Sequence, residues 1–142
     1  MYAGEELIVD AEGCCAELLA EMRSVRAVCK KIVEELALQI VGEPQWHQFP
    51  FPGGVTGLYL LTESHLTCHT FPELRLATFN LYCCRPRPRW QWSAELAESL
   101  GAKQVRVRRV PRGLLLESAT GAAVGDDDLW SLPPGSMRNE ID

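Results

Sequence analysis

Between two apolar stretches the chain reads LTESHLTCHTFPE over residues 61–73. Two of its three histidines, His65 and His69, stand there with Glu63, Ser64, Cys68 and Glu73. A strand buried only for packing has no use for so much titratable chemistry, so this is either a polar sheet edge or the working part of the protein. A serine at the start of a tight turn can attack the carbonyl that precedes it and move the acyl group from nitrogen to oxygen. A base that then takes the serine α-proton eliminates the ester, cuts the chain and leaves a pyruvoyl ketone at the new N-terminus. His69 is the local candidate for that base, because imidazole titrates near neutrality. In an unbroken strand positions 64 and 69 face opposite sides, so the chemistry calls for a bulge or turn between them.

Each residue also has a plainer reading. Ser64 alone is a polar turn residue, His65 a hydrogen-bonding residue of the fold, and Cys68 and Cys83 core thiols. The six cysteines, Cys14, Cys15, Cys29, Cys68, Cys83 and Cys84, show neither a CxxC pair nor zinc-type Cys/His spacing. They are expected to be reduced, with no metal site among them. Asp126-Asp127-Asp128 reads as a solvated acidic turn. The arginines at 85, 87, 89, 106, 108, 109 and 112 read as a solvated, partly ion-paired sheet edge.

The elements that must position the 61–73 stretch follow from periodicity. A short strand is expected at Leu7 to Val9, closed by a turn at Gly13. Leu18, Met22, Val25, Cys29, Ile32 and Leu36 recur at helical spacing and predict one amphipathic helix. A strand is expected to start in LALQIV (36–41), and the proline-rich 42–54 reads as a link. VTGLYLLT (55–62) and LRLATFNLYCC (74–84) read as strands, and SAELAESL (93–100) as a helix capped by Ser93 and closed by Gly101. KQVRVRRV (103–110) is a further strand, and residues 113–142 read as a loose tail after a domain spanning 1–112. The order predicts an α+β two-layer sandwich, a mainly antiparallel sheet with two helices on one face.

A chain of 142 residues suits one domain, and a net charge of −5 argues against a phosphate-binding, nucleic-acid surface. The N-terminus has no basic start leading into an apolar run, and no apolar stretch is long enough for a bilayer. No nucleic-acid or membrane partner is expected, and the cytoplasm is the simplest location.

Several blocks together resemble the small prokaryotic S-adenosylmethionine decarboxylases. Gly54-Val55-Thr56-Gly57, Glu63-Ser64-His65-Leu66, His69-Thr70-Phe71-Pro72-Glu73 and Cys84 match that family's GVSG, ESHL, histidine-TWPE and catalytic cysteine in order and spacing. A fainter likeness takes in the opening strand, Gly13-Cys14 and His47 to Phe49, so that roughly residues 4–110 are covered. The resemblance implies cleavage between Glu63 and Ser64 into fragments 1–63 and 64–142, with a covalent pyruvoyl group derived from Ser64 as the cofactor. His69 matches the processing base, Thr56 the hydroxyl that assists processing, and Cys84 the proton donor that follows loss of carbon dioxide. It further implies a homodimer of cleaved protomers with active sites near their interface, acting in polyamine synthesis.

The departures fall on the substrate pocket. No aromatic stands between Ala3 and Leu36 to stack on adenine, the family tryptophan is Phe71, YGY is Leu74-Arg75-Leu76, an aspartate is Asn80, and the glycine after the cysteine is Arg85. Phe49 and Phe71 can still sandwich a purine, while Glu12, Glu63 and Glu73 can meet a cationic substrate. S-adenosylmethionine is the preferred substrate, and ornithine or arginine stay open as alternatives. An inactive regulatory subunit is the reading of another class, disfavoured by the intact Ser64, His69 and Cys84.

Overall fold

A computed structural model describes residues 2–114. Its strands are β1 (Tyr2–Glu12), β2 (Gln45–Gln48), β3 (Val55–Leu61), β4 (Ser64–Phe71), β5 (Leu76–Cys83) and β6 (Gln104–Leu114). They form one antiparallel sheet in the order β2-β3-β4-β5-β1-β6. Helices α1 (Ala16–Leu19), α2 (Met22–Glu35) and α3 (Trp92–Leu100) supply the second layer.

Strand alternation decides which side chains meet those helices. Leu7, Val9 and Ala11 of β1, Leu66, Cys68 and Thr70 of β4, and Ala77, Phe79, Leu81 and Cys83 of β5 are buried. They join one core with Val25, Val28, Cys29 and Ile32 of α2 and Trp92, Leu96 and Leu100 of α3. The other side of the sheet carries Leu58, Leu60, His65, His69 and Phe71, all exposed. Polar residues and large apolar ones thus share a face that no helix of the described chain covers.

The α+β sandwich is as expected; its details differ. The 61–73 stretch is an inner strand, not an edge. The helix predicted from Leu18 to Leu36 breaks at Ala20-Glu21, where Thr70 Oγ1 donates to the Leu19 carbonyl at 2.7 Å and Gln48 Nε2 donates to that of Ala20 at 2.6 Å. Those side chains satisfy carbonyls that an uninterrupted helix would have claimed for itself. The described residues therefore hold three α-helices, and Ser93, expected as a cap, is the second residue of α3. Beyond α2 the chain turns through a left-handed Ala37, and Ile40 makes only an isolated bridge to Leu61 instead of starting a strand. The proline-rich link contains β2, an edge strand whose Trp46 ring lies over Gly57. A Cβ at Gly57 would meet that ring at 2.5 Å, which accounts for the second glycine of the Gly-Val-Thr-Gly block. β1 and β6 run longer than predicted, and β6 continues through Leu114, past the expected domain boundary at 112. The rest of the stretch expected as a tail, Asp126 to Asp128 included, lies outside the described residues.

Thr70 is the polar pin of this core. Besides donating to Leu19 it accepts the Val55 N–H at 2.9 Å, tying α1, β3 and β4 together. Thr70→Val keeps the shape and orphans a buried donor and a buried acceptor, so urea denaturation should show a loss of about 2–4 kcal/mol. Thr70→Ser should lose much less; equal losses in the two variants would deny the hydroxyl this role.

Candidate active site

β3 and β4 are joined by the two residues Thr62 and Glu63, with Leu61 paired to Ser64. The Glu63–Ser64 peptide bond therefore sits where a tight hairpin turn enters an inner strand. The Glu63 carbonyl accepts the backbone N–H of Cys84 at 3.2 Å. Its carboxylate is met by Arg85 at 2.9 Å and Arg87 at 3.8 Å. Ser64 lies opposite Cys83 of β5, whose thiol reaches the serine hydroxyl. Burial pushes that thiol above its ordinary range against the pull of the Arg87 charge, so it stays protonated near neutrality. Cys84, at the end of β5, is exposed. Glu63, Ser64 and Cys84 thus lie together at one end of the sheet.

The other candidates gather elsewhere. Thr56 pairs across the sheet with His69, its Oγ1 3.1 Å from His69 Nδ1. Phe71 ends β4 beside Leu76, and Leu76 in turn faces Glu12 at the end of β1. Glu12 is 3.7 Å from Arg106, Glu73 lies in a 3₁₀ turn, Pro72–Leu74, and Phe49 packs edge-on against His47 at 4.7 Å. β4 pairs without interruption from Ser64 to Phe71, so the bulge expected between Ser64 and His69 is absent. Ser64 alternates with the helix-facing residues and His69 with the uncovered ones. At about 3.3 Å per residue they are also separated by roughly 16 Å along the strand. One chain therefore holds the Glu63–Ser64 turn and the His69–Thr56 pair toward opposite ends of β4.

Three features were not read from the sequence. The arginines after β5 fall partly on Glu63 instead of all serving the edge, although Arg106, Arg108, Arg109 and Arg112 of edge strand β6 do pair with Glu12, Asp10, Glu5 and Glu6. Cys83 is a core thiol, as expected, but it also touches Ser64. Asn80 Nδ2 donates to Glu6 Oε1, and this bond together with Arg112 outweighs burial and holds the Glu6 carboxyl below its usual range. An aspartate at position 80 would set two carboxylates against each other, so Glu6 explains why an amide stands there. Alternation within β1 and β5 could have placed Glu6 and Asn80 on one face; their register could not be known. His65 stacks on Tyr82, with centroids 5.5 Å apart. Among the described residues no three His, Cys, Asp or Glu side chains assemble as metal ligands, and no helix is long and apolar enough to cross a membrane.

Residues 5–113 match the sequence profile described as S-adenosylmethionine decarboxylase. An S-adenosylmethionine decarboxylase proenzyme of Caldicellulosiruptor saccharolyticus is 36% identical over 115 residues, covering 78% of this chain and 89% of that protein. One of Moorella thermoacetica is 32% identical over 122 residues, covering 85% and 95%. The crystal structure of the adenosylmethionine decarboxylase from Aquifex aeolicus superposes with a TM-score of 0.69 at 26% identity, covering 84% of this chain and 98% of that one.

Proposed function

Because the chain belongs to the S-adenosylmethionine decarboxylase family, we propose that it is a self-cleaving, pyruvoyl-dependent decarboxylase of S-adenosylmethionine. The observation that carries this is the Glu63–Ser64 bond in a two-residue turn, its carbonyl oxygen held by the Cys84 N–H. Ser64 Oγ attacks the Glu63 carbonyl carbon, and the negative charge that develops on oxygen falls where that N–H donates. The C–N bond breaks, leaving an ester to Ser64 and a free amine. Removal of the Ser64 α-proton expels the Glu63 carboxylate, and water then replaces ammonia at the resulting enamine to give the ketone. A pyruvoyl group at position 64 supplies a carbonyl that condenses with the substrate amine and takes up the electron pair released with carbon dioxide. Cys84, exposed beside the turn, returns a proton to the substrate carbon.

The base for the α-proton is His69 of a second copy. Within one chain His69 and Thr56 stand about 16 Å from Ser64 and on the other face of the sheet. Two copies packed antiparallel through their uncovered faces bring each scissile end to the partner's base-bearing end and bury Leu58, Leu60 and Phe71. Thr56 then orients the imidazole: in the tautomer whose Nδ1–H donates to Thr56 Oγ1, Nε2 is left to accept the proton. Phe49 and Phe71 stack on the purine, and Glu12 and Glu73 face the positive charge of the substrate.

Purified protein should release carbon dioxide from carboxyl-labelled S-adenosylmethionine, and hydroxylamine, which consumes ketones, should abolish the release. Release from ornithine or arginine instead would move the substrate assignment, and no release from any of the three would leave a regulatory subunit. Co-expression tests the shared site. His69→Ala chains alone should stay intact, yet be cleaved at Ser64 when paired with Ser64→Ala chains that carry the histidine. Intact His69→Ala chains in the mixed dimer would place the base elsewhere.

A further inference from the structure

Arg85-Pro86-Arg87-Pro88-Arg89 follows β5 without regular structure, yet two of its arginines converge on one carboxylate. Arg85 takes Glu63 Oε1 at 2.9 Å and Arg87 takes Oε2 at 3.8 Å, so each oxygen has its own guanidinium. Arg87 also donates from Nη1 to the Ala37 carbonyl at 3.4 Å, which anchors its head to the chain beyond α2. Its Nε is buried and has no hydrogen-bond partner, while its charge also faces the Cys83 thiol. The same side chain lines a cavity of about 680 Å³ shared with Glu5, Cys83, Cys84 and Arg109. The prolines on either side of Arg87 fix their own φ, and in an extended chain residues 85 and 87 point to one side. Glu63 is thus held by its side chain and, through the Cys84 N–H, by its main chain, on the acyl side of the bond that self-cleavage breaks.

We propose that Arg85 and Arg87 are positioning residues that clamp Glu63, fixing the scissile turn before cleavage and, through Arg87 Nε, binding the α-carboxylate that cleavage exposes at Glu63. This rests on the self-cleavage reading and adds to it a receptor for the product end. A two-residue turn has few contacts of its own, and a carboxylate held by Arg85 at 2.9 Å and drawn by the Arg87 charge at 3.8 Å restrains the turn whose carbonyl Ser64 Oγ must reach. Afterwards Glu63 carries two negative charges, and the orphaned Nε–H of Arg87 offers the planar, charge-assisted hydrogen bond that a carboxylate accepts. Arg87 carries most of the effect, since its side chain is only 23% exposed against 71% for Arg85, and exposed pairs contribute little.

The clamp is tested by a double-mutant cycle on full-length protein, following cleavage on denaturing gels after translation in vitro. Glu63→Gln and Arg87→Gln should each slow cleavage about tenfold, and the double variant should be no slower than the slower single. Arg87→Lys, which keeps charge and stem but loses the fork, should fall between wild type and Arg87→Gln and covers the case of a misfolded glutamine variant. Carboxypeptidase should spare Glu63 in the cleaved wild type and trim it in the Arg87 variants. Multiplying effects, or wild-type rates with equal trimming, would overturn the clamp. An uncleaved wild type would instead refute self-cleavage. The clamp is then judged by melting temperature, where shared losses in the cycle support it and additive losses refute it.

Discussion

Everything around the Glu63–Ser64 bond depends on one constraint: a two-residue turn must join two inner strands whose registers are already fixed. β4 is paired along its whole length with β3 on one side and β5 on the other. Shifting it by one residue would exchange Leu66, Cys68 and Thr70 for His65, Thr67 and His69 against the helices, which the core does not tolerate. The turn therefore cannot relax by sliding a strand, and the end of β5 arrives opposite it with the Cys84 N–H on the Glu63 carbonyl. The sheet sets the geometry of a single peptide bond.

In the proposed enzyme the same rigidity keeps one chain from completing the site alone. A straight, unbulged strand keeps Ser64 and His69 on opposite faces, and neither loops nor side-chain rotation span a gap of roughly 16 Å. In the proposed dimer this becomes an advantage, because an uncovered face bearing Leu58, Leu60 and Phe71 would gain a partner as Ser64 and His69 would. In the proposed enzyme, assembly and activation are therefore one event.

The sheet layer, α2, α3 and the blocks around Ser64 were legible in the sequence because each rests on local periodicity or on a spaced motif. What was not legible depends on contacts between distant residues. The helix breaks at Ala20 because Thr70 and Gln48 reach its carbonyls, and neither lies near it in sequence. β2 hides in a proline-rich stretch because an edge strand needs hydrogen bonds on one side only. A single strand bringing Ser64 and His69 to one site would need a bulge; β4 has none, which shifts the question from local distortion to a second chain. The arginines after β5 looked like edge charges because nothing local ties them to Glu63, more than twenty residues earlier.

The most direct measurement is the intact mass of the purified protein with sequencing of its fragments. Self-cleavage at this turn gives two polypeptides, residues 1–63 ending in a free Glu63 carboxylate and residues 64–142 beginning with a blocked pyruvoyl group, and Ser64→Ala gives one. A single full-length chain in the wild type, under conditions where it is folded and dimeric, would contradict it.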